Sequence, residues 1–134
     1  MSEFSWPIRV YYEDTDAGGV VYHTGYIRFF ERGRTEWLRA LGYSQARLVE
    51  EDGVMFSVVN LEVHYRKPAR LDDLLQVVTR VRSGGGASVQ FEQEILRDGD
   101  ALARGNVLVA CVDAQSFRPR RLPAELRTRI PDAS

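Results

Sequence analysis

TGYIRFFERGRTEWLRALG, residues 24–42, places Tyr26, Phe30, Gly33, Trp37 and Leu41 at steps of three and four. Arg28, Glu31, Arg32, Thr35, Glu36 and Arg39 fall on the other faces. That spacing predicts an amphipathic helix with one apolar stripe. About 17 residues at 1.5 Å each make it about 25 Å long. Thr24 has the side chain of an N-cap, and Gly42 the backbone freedom of a C-terminal stop. A stripe with this many aromatic rings needs a broad apolar surface to cover it, and a sheet supplies one.

Beyond the helix, SQARLVEED (44–52) allows one or two more helical turns before Gly53. From there the period falls to two. Met55, Val59, Leu61, Val63 and Tyr65 mark a first strand that closes at Pro68; Leu75, Val77 and Val81 mark a second that ends at Gly84-Gly85-Gly86. Val89, Phe91 and Ile95 mark a third, and after the turn at Asp98-Gly99-Asp100 the run 101–113 is apolar on both faces. Four strands with short connections predict an antiparallel meander, wrapped around the helix in an α+β arrangement. The end, FRPRRLPAELRTRIPDAS (117–134), has two proline-bounded pieces and is expected to be a loosely ordered tail from 118 onward.

In the other direction Ile8, Val10 and Tyr12 alternate with Arg9 and Tyr11, as in a short strand with one buried face. Between this strand and the helix lies YYEDTDAGGVVYHTGY (11–26), which gathers Asp14, Asp16, Gly18, Gly19 and His23. A carboxylate just before a helix, with the helix's unpaired first N–H groups beside it, can both activate water and stabilise an oxyanion. Asp16 is the candidate base or nucleophile. The backbone N–H of His23 is a candidate oxyanion donor, and its ring a second donor or a means of ordering the water. Asp14 reads more simply as a turn residue, and His64, between Val63 and Tyr65, as a surface or packing residue.

Other chemistries use the same atoms. Asp-x-Asp after an apolar run resembles the start of a haloacid-dehalogenase-type phosphatase, but that chemistry sits on a parallel sheet with alternating helices. Asp14, Asp16 and His23 have the atoms of a metal site without the spacing of a ligand motif. A module that binds acyl chains or a protein partner without turnover stays open.

The 134 residues suit one domain. With a net charge of −1 and a pI near 6.1, nothing in the overall balance calls for nucleic acid or an anionic membrane. The start, MSEFSWPIRV, lacks a signal peptide's basic and apolar runs, and no stretch is long enough to span a membrane. The lone Cys111 suits core packing in a reducing compartment. A cytoplasmic protein is expected. Seventeen arginines and the single Lys67 identify no ligand by composition. Arg66 and Lys67 at a strand end, Arg82 beside the glycine turn, and the cluster of Arg118, Arg120 and Arg121 are candidate cations for a phosphorylated substrate, with Arg82 the first choice.

RVYYEDTDAGGVVYHTGYIRFFERGRTEWLRALGYS (9–44) closely resembles the signature of hotdog-fold acyl-CoA thioesterases of the 4-hydroxybenzoyl-CoA thioesterase class, in the branch associated with the Tol-Pal envelope system. VHYRKPARLDDLL (63–75) is similar to the same family. The resemblance implies a hotdog fold, a five-stranded antiparallel sheet around one long central helix. It also implies a homodimer or homotetramer with active sites between subunits, and hydrolysis of acyl-CoA thioesters without metal or cofactor, acyl carrier protein being a second possible carrier. The family's catalytic aspartate corresponds to Asp16, its histidine to His23, and its tyrosines to Tyr22 and Tyr26. At Gly25 the family often has Asn or Ser, so this substrate-side position lacks a side-chain hydrogen bond here.

Overall fold

The computed structural model describes residues 3–130. Strands β1 (Glu3–Arg9), β2 (Val54–Tyr65), β3 (Leu74–Gly85), β4 (Ser88–Arg97) and β5 (Asp100–Asp113) form one antiparallel sheet in the order β1-β3-β4-β5-β2. Helix α1 spans His23–Ala40, and a short turn α2 (Gln45–Arg47) runs into a π-helical turn at Leu48–Asp52. Helix α3 (Ala124–Arg129) follows the sheet.

Tight turns dictate the middle of the sheet. Asp98 and Gly99 both take positive φ, 51° and 81°, as a two-residue hairpin turn requires. Arg97 pairs with Asp100 across them. The expected meander is therefore correct for β3-β4-β5 and wrong for β2, which pairs with β5 instead of β3. The physical reason is the linker. Eight residues, 66–73, separate β2 from β3, and a chain of that length reaches about 26 Å, enough to cross three inter-strand spacings of about 4.8 Å.

At the N-terminus, β1 stops at Arg9. Ile8 and Val10 are buried, but Tyr12, expected on the same face, is 83% exposed. Its residues wind into a 3₁₀ turn, Tyr12–Asp14, because the Asp14 carboxylate accepts the Tyr11 N–H at 2.8 Å.

The apolar stripe of α1 meets the sheet in two clusters. Tyr26, Phe29 and Phe30 pack with Val10, Val21, Leu75, Val77, Ile95 and Leu102. Trp37 and Leu38 pack with Val54, Val89, Phe91, Val107 and Cys111. Between them Gly33 lets α1 close onto β3 and β4, where a Cβ would stand 2.6 Å from Val77 Cγ1. Thr79 and Gln93 are fully buried here and satisfied: Gln93 Nε2 donates to Phe30 O and Thr79 Oγ1, both at 2.9 Å, and its Oε1 accepts from Arg34.

Two expectations at the ends of this frame are corrected. Thr24 is not the N-cap; the helix starts two residues earlier with Tyr22 as cap, because Gly25 N–H closes the first turn onto Tyr22 O at 2.7 Å. Residues 118–130 are not a loose tail, since Leu122, Leu126 and Ile130 bury themselves in the second cluster. Leucine and isoleucine at steps of four turn α3 onto the end of α1. Residues 131–134 lie outside the described residues.

Candidate active site

A small loop hairpin carries Asp16. Thr15 bridges Val21, Asp16 N–H donates to Val20 O at 2.9 Å, and Gly19, at φ 77°, returns its N–H to Asp16 O at 3.0 Å. The hairpin is fastened by a Val20–Arg70 bridge and by Val21 N–H donating to Ala69 O at 2.8 Å. The Asp16 carboxylate, exposed at its head, accepts one bond, from Gly18 N–H at 2.8 Å. Asp14 faces the other way. It is buried, bonded to Tyr11 N–H, with Arg28 Nη2 at 3.7 Å. The two carboxylates therefore have different surroundings, and among the described residues Asp14, Asp16 and His23 do not form a group that could hold a metal ion.

The hairpin leads into the first turn of α1. Tyr22 makes no side-chain cap, and among the described residues the N–H groups of His23 and Thr24 find no acceptor. The rings of Tyr22 and His23 lie 4.1 Å apart.

The opposite wall comes from the end of β2. Leu102 is an extra residue in β5, inserted opposite the Ile95–Leu96 step. Its carbonyl accepts both Arg66 N–H at 2.8 Å and Lys67 N–H at 3.1 Å. This bulge ends β2 and turns Arg66, Lys67 and Pro68 toward the loop. The result is an open groove of about 720 Å³, lined by Asp16, Tyr22, His23, Tyr26, Tyr65 and Lys67 with their neighbours Val20, Val21, Arg66 and Pro68.

Asp16, His23, Tyr22, Tyr26 and Lys67 thus come together as the sequence suggests, each with a definable partner. The Tyr26 hydroxyl accepts from Ala69 N–H at 2.9 Å, so its ring is a fixed wall. Lys67 Nζ lies 2.6 Å from Asp100 Oδ2, which holds the Asp100 carboxyl below its ordinary value. Two expected site residues are not brought to the groove. Gly25 is buried behind it, where a Cβ would come within 2.7 Å of Val21 Cγ1, so packing alone accounts for the glycine. Arg82 sits in a bulge near the far end of β3, paired with Glu92 at 2.9 Å. Tyr65 is a groove residue that the spacing did not single out. The signal was Pro68, which marks where β2 leaves the sheet.

Other side chains fall outside this chemistry. His64 is exposed beside Glu62, and the buried Cys111 thiol is pushed up by burial. No helix among the described residues is long and apolar enough to cross a membrane.

The acyl-CoA thioesterase YbgC of Haemophilus influenzae is 50% identical to this chain over 124 residues, covering 92% of this chain and 91% of that protein. The acyl-CoA thioester hydrolase YbgC of Escherichia coli O6:H1 is 49% identical over 124 residues, covering 92% of each. Among solved structures, a probable thioesterase from Bartonella henselae superimposes with a TM-score of 0.87 at 38% identity, over 91% of this chain and 100% of that one. The sequence model of the thioesterase-like superfamily matches residues 10–130, and the chain belongs to that superfamily.

Proposed function

We propose that this protein hydrolyses acyl-CoA thioesters to a free acid and CoA, with Asp16 as general base or nucleophile and the first turn of α1 as the oxyanion site. The observation that carries the reading is the shared groove, where the Asp16 carboxylate faces a helix start with two unengaged N–H groups. A thioester carbonyl seated there meets the amides of His23 and Thr24 and the positive end of the helix dipole. Both stabilise its oxygen as the carbon becomes tetrahedral. Asp16 either attacks that carbon, giving an anhydride that water opens, or takes a proton from an attacking water. On either route the C–S bond breaks, and CoA leaves as a thiolate that is then protonated. The His23 ring orders the water, and Tyr22 and Tyr26 wall the acyl group.

In this reading α1 is the long central helix of a hotdog fold and the sheet wraps it. The working unit is a symmetric homodimer or homotetramer in the cytoplasm. The outer edge of β2 supports this, because exposed Val58 and Val59 leave it apolar where a solitary edge strand is normally charged. Lys67 takes CoA phosphate from its own groove, and Arg82 reaches one only from a second copy. Gly25 contributes by letting α1 close onto Val21.

The test is a panel of acyl-CoA and acyl-carrier-protein thioesters of varied chain length, aromatic acyl groups included, run on wild type and Asp16→Asn. The substitution is expected to lower kcat by at least ~100-fold, within the range for a lost base. Asp16's single bond to Gly18 leaves the fold intact. A wild type that, like Asp16→Asn, turns over none of the substrates would make the protein an acyl-binding module, and equal turnover by both would remove Asp16 from the mechanism.

A further inference from the structure

The first turn of α1 has no side-chain cap at its start, yet the groove chemistry needs its amides aimed. A bond from the opposite wall does what a cap would not. Tyr65, at the end of β2, donates its hydroxyl to His23 O at 3.0 Å. The ring that carries it is itself held: it meets the Tyr26 ring edge-on at 5.3 Å and the His23 ring edge-on at 6.0 Å. Tyr26 in turn is buried and fixed to the backbone of Ala69.

The His23 carbonyl and the Thr24 N–H belong to one peptide group, which is planar and places them on opposite sides. Holding the carbonyl therefore fixes the direction of the Thr24 N–H, which points out of the N-terminal end of α1. Accepting the phenol's hydrogen bond also polarises that peptide and strengthens its N–H as a donor. We propose that Tyr65 is a positioning residue, aiming the Thr24 N–H at the substrate oxyanion without touching the substrate; this rests on the oxyanion site proposed above. Desolvation, aided by Tyr26, pushes the Tyr65 phenol above its ordinary value, so it stays a donor throughout the neutral range. The titratable and charged groups that share the groove with it are Asp16, Tyr22, His23, Tyr26, Arg66 and Lys67.

Tyr65→Phe keeps the ring and its edge contacts and removes only the hydroxyl. We expect kcat to fall ~10-fold, less than the loss for deleting an oxyanion donor outright. KM should stay within twofold of wild type, and the Thr24 amide resonance should move in a ¹H–¹⁵N spectrum. An unchanged kcat, or a loss carried by KM, overturns the proposal. Should Tyr65→Phe not fold, 3,5-difluorotyrosine at position 65 retains the shape and ionises near neutral pH. Its kcat should then fall as pH rises through that ionisation, because a phenolate has no hydrogen to donate, while wild type shows no such limb. A difluoro enzyme that tracks wild type across the range also overturns the proposal. Asp16→Asn, measured alongside, separates the two levels: if it is inactive while the Tyr65 variants behave as wild type, only the role of Tyr65 falls. If it is fully active, the role given to Asp16 falls, whatever the Tyr65 variants do.

Discussion

Gly33→Ala inverts the usual expectation for a glycine inside a helix. Alanine should stabilise an exposed helical position by about 1 kcal/mol. At Gly33 the added methyl would lie 2.6 Å from Val77 Cγ1, 3.1 Å from Thr79 Oγ1 and 3.2 Å from Gln93 Nε2. Valine on a central strand cannot swing away as a long side chain can, so α1 must lift off β3. Overpacking of this kind costs about 1–3 kcal/mol. Lifting α1 also stretches the bond from Gln93 to Phe30 O, and leaving that one buried N–H without its acceptor costs about 1–3 kcal/mol more. After the gain in helix propensity, the net is a destabilisation of about 1–5 kcal/mol. At this chain length 1 kcal/mol moves Tm by ~3–5 °C, so thermal unfolding at fixed protein concentration should show a fall of about 3–25 °C. A Tm equal to or above wild type would refute the close approach of α1 to the sheet.

His23→Ala keeps the amide and removes the ring; kcat/KM on the best acyl-CoA should fall ~10-fold, less than a lost oxyanion donor costs, and an unchanged value would leave only the amide at work. Arg82→Ala should raise KM for acyl-CoA with kcat held and flatten the salt dependence; identical KM and salt dependence would put the phosphates on Arg66 and Lys67 instead. The third expectation concerns acid. The amides of Ser116 and Gln115, with Arg120, hold the Asp113 carboxyl down to about 2 from 3.8. A depressed folded value means that the unfolded chain binds the proton first. The stabilisation is therefore present above about pH 4 and lost as pH falls through about 2. Urea midpoints measured from pH 5 to pH 2 should fall less steeply in Asp113→Asn than in wild type, and parallel slopes would remove Asp113 from the acid limb.

The helix was legible because Tyr26, Phe30, Gly33 and Trp37 repeat with its period, and Asp98-Gly99 named its own turn. That Asp16 and His23 share one groove was legible for a different reason: a carboxylate, two glycines and a histidine stand together between a strand and a helix. What stayed hidden depends on distant partners. Nothing near β2 in sequence says that it pairs with β5, and an eight-residue linker is compatible with several sheet orders. Leu122, Leu126 and Ile130 looked like a fraying end because two prolines flank them, yet burial against Trp37 and Leu38 outweighs that local signal. Gly25 read as a missing hydrogen bond, whereas Val21, four residues back, accounts for it through space. Tyr65 was hidden by its own regularity, since an alternating strand offers no reason to prefer its last residue.

The sheet order also decides when the enzyme becomes an enzyme. On a chain made from the N-terminus, β2 emerges before the strand it pairs with, and β1 waits for β3. The hairpins β3-β4 and β4-β5 close locally as they appear, so they are the natural nucleus, and the outer strands join it later. The proposed catalytic groove is shared between the loop after β1 and the end of β2, the two strands recruited last. Activity should therefore lag behind secondary structure during refolding. Pulse-labelled hydrogen exchange should protect the amides of β3-β4-β5 before those of Val21 and Arg66, and simultaneous protection would refute that order. An unfinished chain holds no half-assembled site with which to meet a thioester.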